Sequence, residues 1–320
     1  MKKILLVLIL IIASACKTSD KSPENSKKEN ITSHTVEDIV SYLASDELEG
    51  RDTGSEGIDS AATYIENEFK SLGIKPYYTT YRDTFKIEEL DAFNVVGFIE
   101  GNDAKLKDEV VILSAHYDHI GISKKVVEND SISNGANDNA SGTATVLALA
   151  KHFAQKKNNK RSIMFALFTA EEKGLLGSKH LAERLKSEDI NLYTLVNFEM
   201  LGVPFTDNRG YDVLVTGYDL SNMAERLNSY IGSNVIGKSE VAVKYNLFTR
   251  SDNYAFYEAF KVPCQTISSC DLTNFDFYHH VDDEANKMDF KHINSMVSKM
   301  IPAIEAINNT ANREIKMNDE

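Results

Sequence analysis

The stretch from Ser162 through Phe168 carries no charge and no break in its apolar character. A continuous apolar run of that length is expected for a strand covered on both faces, because each side chain then meets a packed layer. Such a strand needs helices above and below it, and the chain supplies them in alternation. Residues 92–99 and 110–114 are β-rich runs, 142–153 is a helix rich in Ala and Leu, and 175–185 is helical. Residues 194–198 and 211–215 read as strands, 221–231 as a helix, 262–267 as a strand and 289–308 as a closing helix containing Pro302. Ahead of these, 36–44 has apolar residues at Val36, Ile39, Val40 and Leu43, the spacing of an amphipathic helix. A second helix is expected over 58–72, with Gly73 as its stop signal. This pattern predicts an α/β fold: a three-layer sandwich with a central mixed, largely parallel twisted sheet flanked by helices. A single domain is expected over 34–312, and 313–320 reads as a disordered tail. The polar segment between His119 and Asp138 lacks periodicity and is expected to be a surface loop.

With 320 residues, 42% of them hydrophobic, the chain can fill one sizeable core. Its formal net charge of −13 argues against a nucleic-acid partner, since such proteins present a basic face. At the N-terminus Lys2-Lys3 precede the apolar run 4–12, which is followed by Ala13-Ser14-Ala15-Cys16. A basic start, a short apolar run and small residues describe a secretory signal. The run is too short to cross a bilayer, which takes about 20 apolar residues. Cys16 directly after small residues resembles the bacterial lipoprotein signal, in which that Cys becomes the lipid-carrying first residue. Ala13 departs from that pattern, which prefers Leu there. The expectation is a signal peptide over 1–16 and a flexible polar tether over 17–33. Such a chain is exported and held at the periplasmic or cell-surface side of a membrane through Cys16. Export to an oxidising compartment is compatible with a disulfide between Cys264 and Cys270, two buried free thiols being the other reading.

Acids and histidines stand where the apolar runs end. His116-Tyr117-Asp118 closes the run 110–114, and residues i and i+2 of a strand share a face. Asp118 can therefore reach the ring nitrogen that His116 does not give to a metal, a common accompaniment of metal-binding histidines. Asp138 lies in a loop of small residues, 135–142, that opens onto a helix. A carboxylate there can bridge two cations or simply cap the helix. Glu171-Glu172 follows the run 162–168, so one acid can bind metal while the other accepts a proton from water. Glu199 ends the strand 194–198. Tyr278-His279-His280 precedes Asp282-Asp283, giving at least one nitrogen ligand and a hydroxyl able to donate to an oxyanion. Polar groups are costly at such places unless paired or metal-bound. At the C-terminal edge of an open α/β sheet they face the ligand crevice.

Together these clusters resemble the exported co-catalytic zinc aminopeptidase family. That metallopeptidase family also includes the glutamate carboxypeptidase II and transferrin-receptor ectodomains and, more distantly, glutaminyl cyclase. The resemblance runs from about Leu43 to Ala306. It rests on 48–57, on 135–142, and on Glu171-Glu172 with Lys173 to Ser178. It implies two zinc ions per chain: His116 and Glu199 on one, Glu172 and His279 on the other, Asp138 bridging. Glu171 would be the general base, Asp118 would orient His116, and Tyr278 would steady the oxyanion. The resemblance also implies a cis peptide bond between Asp138 and Asn139, and pairs the two cysteines as in some members. Two departures stand out. Glu199 occupies a position that is Asp in many members, and the last motif reads His279-His280-Val281-Asp282 where many have His-Thr-Pro-x-Asp, which leaves His280 as an alternative ligand. The implied activity is hydrolysis of peptides from a free N-terminus. The alternatives are a carboxypeptidase or dipeptidase, a one-zinc glutaminyl-cyclase-like acyltransferase, and a non-catalytic binding ectodomain. Ser251, Asp252, Asn253, Tyr254 and Phe256 are candidates for substrate contact, or for a helix cap and its packing. Oligomeric state has no signature in the sequence.

Overall fold

The computed structural model describes residues 34–318, apart from the side chain of Lys125. The signal, tether and Cys16 expectations lie outside the described residues. In chain order the strands are β1 (Lys75–Pro76), β2 (Arg82–Ile87), β3 (Leu90–Ile99), β4 (Glu109–His116), β5 (Gly121–Val127), β6 (Asp130–Ser133), β7 (Ser162–Phe168), β8 (Asn191–Phe198), β9 (Val213–Val215), β10 (Ile236–Gly237) and β11 (Cys264–Ser268). The α-helices are α1 (Val36–Leu43), α2 (Glu56–Ser71), α3 (Gly142–Lys156), α4 (Leu176–Ser187), α5 (Met223–Ile231), α6 (Glu240–Lys244), α7 (Asn253–Phe260) and α8 (Phe290–Asn309). Side chains mark the helix starts: Thr35 and Asp38 form a capping box on α1, while Ser55 and Asp289 accept from backbone N–H groups of α2 and α8.

The main sheet runs β1-β3-β7-β4-β8-β11-β9-β10, with β2 also paired to β3. Its centre, β7-β4-β8-β11, is parallel; β3 and β9 join antiparallel on either side. The three-layer reading therefore holds. Strand β7 shows why: Ile163, Phe165 and Leu167 enter the core shared with α1, α2, α3 and α8, while Met164, Ala166 and Phe168 enter the one shared with α4 and α7. Register sets the functional edge. His116 lies opposite Phe168, Ser114 opposite Asn197 and Ile267 opposite Phe198, so the parallel strands end nearly level. Everything that follows them emerges from one edge.

Two expectations are corrected. The segment after His119 is a hairpin, β5-β6, turning at Glu128 and Asn129, both with positive φ. It was hidden because Ile122 and Val126 are 60% and 61% exposed, so no buried face imposes alternation. Residues 313–318 are not a disordered tail. Ile315 is 2% exposed, the Tyr193 hydroxyl accepts from the N–H groups of Glu314 and Ile315, and Met317 bridges to Ser221. One buried side chain in a polar stretch leaves no periodic trace.

Candidate metal centre

The centre grows from three strand ends and two loops. His116 is the last residue of β4, Glu171 and Glu172 follow β7 after a positive-φ Ala170, and Glu199 follows β8. Asp138 sits in the bend before α3, where the 138–139 peptide bond is cis. Gly135 opens that bend at φ 59, and a Cβ there would stand 2.5 Å from the His119 ring. Asn139 ties the bend to the β8 end, donating to the Phe198 carbonyl and accepting from the N–H groups of Gly142 and Met200.

These elements bring the expected ligands together. His116 Nε2 is 3.2 Å from Asp138 Oδ1. His279 Nε2 is 3.4 Å from Asp138 Oδ2 and 3.0 Å from Glu172 Oε2. Glu199 accepts from the Ser251 hydroxyl. The Tyr278 ring stacks on His279 with centroids 4.0 Å apart. His280 turns elsewhere: its Nδ1 accepts from the Asp282 N–H and lies 3.4 Å from that carboxylate. The geometry therefore places His279, and not His280, at the cluster.

Asp118 stands differently from the expectation. His116 Nδ1 is 3.1 Å from the Asp118 backbone carbonyl, while the nearer carboxylate oxygen is 3.7 Å away. The carboxylate instead accepts the backbone N–H groups of Glu171 and Glu172, at 3.2 and 3.3 Å. One residue thus orients the histidine through its main chain and both glutamates through its side chain.

Three residues here were given no role by sequence reasoning. His119 is buried, with Nδ1 3.0 Å from Glu172 Oε1; its donor atom and those of Asp138 and Glu172 lie within 4.8 Å of one another. Its signal was a second histidine three residues after His116, obscured by the polar segment it opens. Asp283 accepts the N–H groups of Asn137 and Asp138 at 2.7 and 3.0 Å, fixing the bend. Arg51, fully buried, donates among the described residues only to backbone carbonyls: Tyr117, Leu43, Asn134 and Gly135. It clasps the turn of residues 46–51 to both the β4 end and the bend that carries Asp138.

Electrostatics point to a cation. Burial, with help from neighbouring carboxylates and against the pull of His116, raises Glu171 well above the usual range and pushes Glu199 up to about 7. His279 is opposed by burial yet pushed up to about 10 by Asp138 and Glu172. The Nε2 atom of His119 is buried with no hydrogen-bond partner among the described residues, and that of His116 faces the Asp138 carboxylate. Crowded carboxylates converging with buried imidazole nitrogens are what a dipositive ion satisfies, and mixed His and carboxylate donors suit zinc.

Asp252, at the start of α7, is also buried, and neither carboxylate oxygen has a described hydrogen-bond partner. Burial pushes it up to about 7. The folded chain therefore holds a proton that the unfolded chain releases above about pH 4, so this contribution is present at low pH and lost as pH rises through about 7. Urea unfolding of the metal-free protein is expected to show it losing on the order of 1–4 kcal/mol between about pH 5 and about pH 8 from this group. Asp252→Asn should flatten that decline; parallel curves for the two proteins would place the proton elsewhere.

Among the other candidates, Ser251 faces the centre, Asn253 bonds to the Thr266 hydroxyl and the Cys264 carbonyl, and Phe256 is core. Cys264 and Cys270 are free thiols. They pack in cores on opposite sides of the sheet, which is why no disulfide joins them.

The fold and donor set define a metallohydrolase-type centre at the C-terminal edge of a three-layer α/β sheet. Comparison with known proteins makes this specific: the sequence profile of Peptidase family M28 matches residues 94–304, more than half of the chain. The chain belongs to that family. A leucine aminopeptidase 2 of Arthroderma otae is 25% identical over 260 residues, covering 80% of this chain and 49% of the relative. The chain spans only about half the length of such relatives. Among solved structures, a zinc aminopeptidase of Bacillus subtilis superposes with a TM-score of 0.66 at 15% identity, covering 89% of this chain and 97% of the other. The glutaminyl cyclase of Porphyromonas gingivalis gives 0.64 at 14% identity, covering 85% and 96%. These two likenesses show the shared fold.

Proposed function

We propose that the protein is an exported zinc aminopeptidase that removes N-terminal residues from peptides. The observation that carries this is Glu171. Its side chain makes no hydrogen bond or ion pair among the described residues, yet it is held beside the ligand cluster through its backbone bond to Asp118. The names of the Arthroderma otae and Bacillus subtilis proteins support the aminopeptidase class. His116 and Glu199 would hold one zinc, Glu172 and His279 the other, and Asp138 would bridge them. His119 braces Glu172 through Oε1, leaving Oε2 toward His279.

Zinc, when bound, lowers the pKa of water from about 15.7 to about 7 and polarises a carbonyl. Glu171, whose burial raises its affinity for a proton, takes the proton of the attacking water as a carboxylate and returns it to the departing amine. Tyr278 keeps its hydroxyl proton, because burial and the surrounding carboxylates raise its pKa. It donates that proton as a hydrogen bond to the oxyanion. The test is a panel of aminoacyl chromogenic amides, free and N-acetylated, with the zinc-loaded protein and a metal count. Hydrolysis of the free amides alone, with two zincs, is expected. Indifference to N-acetylation, or one zinc per chain without amide hydrolysis, would overturn the reading.

The reading includes a lipid anchor at Cys16. Cys16→Ser should move the full-length protein from the membrane to the soluble fraction; a variant that stays with the membrane would show another means of attachment.

A further inference from the structure

Between Glu199 and Tyr278 the centre opens into a recess walled by Met200, Leu247, Leu272 and Cys270, with Thr216 and Arg250 among its polar residues. The recess is narrow and opens to solvent. On the aminopeptidase reading this is the space beside the scissile bond. What it accepts is set by which donors and acceptors remain free.

Of its five hydroxyls, that of Tyr278 is assigned to the oxyanion, and three others have spent their protons. Ser251 donates to Glu199, Thr266 to Asn253 Oδ1 at 2.7 Å, and Ser268 to the Cys270 carbonyl at 3.0 Å. Thr216 differs: its oxygen accepts from the Thr266 N–H at 3.2 Å, and its own proton meets no acceptor among the described residues. Arg250 ends the short turn Leu247–Arg250 and has no ion-pair or hydrogen-bond partner among the described residues. The recess therefore offers donors, one of them cationic. Its one carboxylate, Glu199, already accepts from Ser251 and is assigned to zinc.

A lysine or arginine side chain entering here would find Arg250 and no unengaged carboxylate. An aliphatic one would satisfy the walls but neither donor. A short aliphatic stem ending in a carboxylate meets both. Guanidinium is the group best shaped to pair with a carboxylate, through two parallel N–H donors. We propose that this recess receives the acidic side chain of an N-terminal Glu or Asp, with Arg250 as the specificity-determining residue. The proposal rests on the aminopeptidase reading.

Two measurements separate them. With zinc-loaded protein, kcat/KM is compared for glutamyl, alanyl, leucyl and lysyl p-nitroanilides, in wild type, Arg250→Gln and Arg250→Glu. The glutamyl substrate should lead in wild type. Its kcat/KM relative to the alanyl substrate should fall about 10- to 100-fold in Arg250→Gln, the worth of a charged hydrogen bond. Arg250→Glu should shift preference toward the lysyl substrate. Calorimetric titration with free L-glutamate and L-leucine reads the recess without turnover: L-glutamate should bind wild type more tightly, and Arg250→Gln should erase the difference. Cleavage of all four amides with no acidic preference, or a ratio untouched by Arg250→Gln, overturns the specificity while leaving the aminopeptidase reading standing. No cleavage of any amide, with L-glutamate binding still dependent on Arg250, overturns the activity and leaves the acid-binding recess.

Discussion

Glu171→Gln is expected to lower kcat/KM on an aminoacyl amide by about 10²–10⁴-fold, the usual worth of a general base. Glutamine keeps the length and shape of the side chain but cannot accept a proton. The backbone N–H of residue 171 still reaches the Asp118 carboxylate, so the turn carrying Glu172 stays in place. Zinc content should therefore match that of the wild type. Measuring both on one preparation matters, because lost activity with lost metal would only report a damaged site. A variant with two zincs and full activity would remove Glu171 from the chemistry.

Arg51→Met should cost roughly 3–5 kcal/mol of stability, in the range for breaking a buried charged network. Methionine fills much of the volume yet leaves the carbonyls of Leu43, Tyr117, Asn134 and Gly135 without their donor. The damage should reach the metal, since the clasp spans the segments bearing His116 and Asp138; a loss of about 10–100-fold in zinc affinity is expected. Arg51→Lys should recover only part, because an ammonium cannot match the planar fork of four N–H bonds. Urea unfolding of the metal-free protein and zinc competition titration read the two effects. Wild-type values for both in Arg51→Met would show the clasp to be idle.

What could be read from the chain beforehand was local. The run 162–168 announced a strand covered on both faces, and β7 has that role. Strand ends marked His116, Glu171, Glu172 and Glu199, because an ionisable residue closing an apolar run is conspicuous. Contacts made across the fold left no such mark. Arg51 is an ordinary basic residue in a turn until the β4 end and the bend before α3 close around it. His119 is hidden by the polar hairpin it opens. Asp118 carries its own ambiguity: strand periodicity places it near His116, but only the returning β7 loop shows that its carboxylate serves Glu171 and Glu172. The β5-β6 hairpin and residues 313–318 escaped for a related reason, since neither shows a repeating buried face.

The spread of the ligands has a consequence for how the chain matures. The proposed ligands His116, Asp138, Glu172, Glu199 and His279 come from segments brought together by the pairing of β4, β7, β8 and β11. No short stretch of the unfolded chain holds more than a fragment of the centre. Pairings of such sequence separation form slowly, because the intervening loops must close first. Zinc therefore has no assembled site to occupy until the sheet is built. On that assignment its capture would be a late event that locks a finished topology, and metal occupancy would be a readout of completed folding.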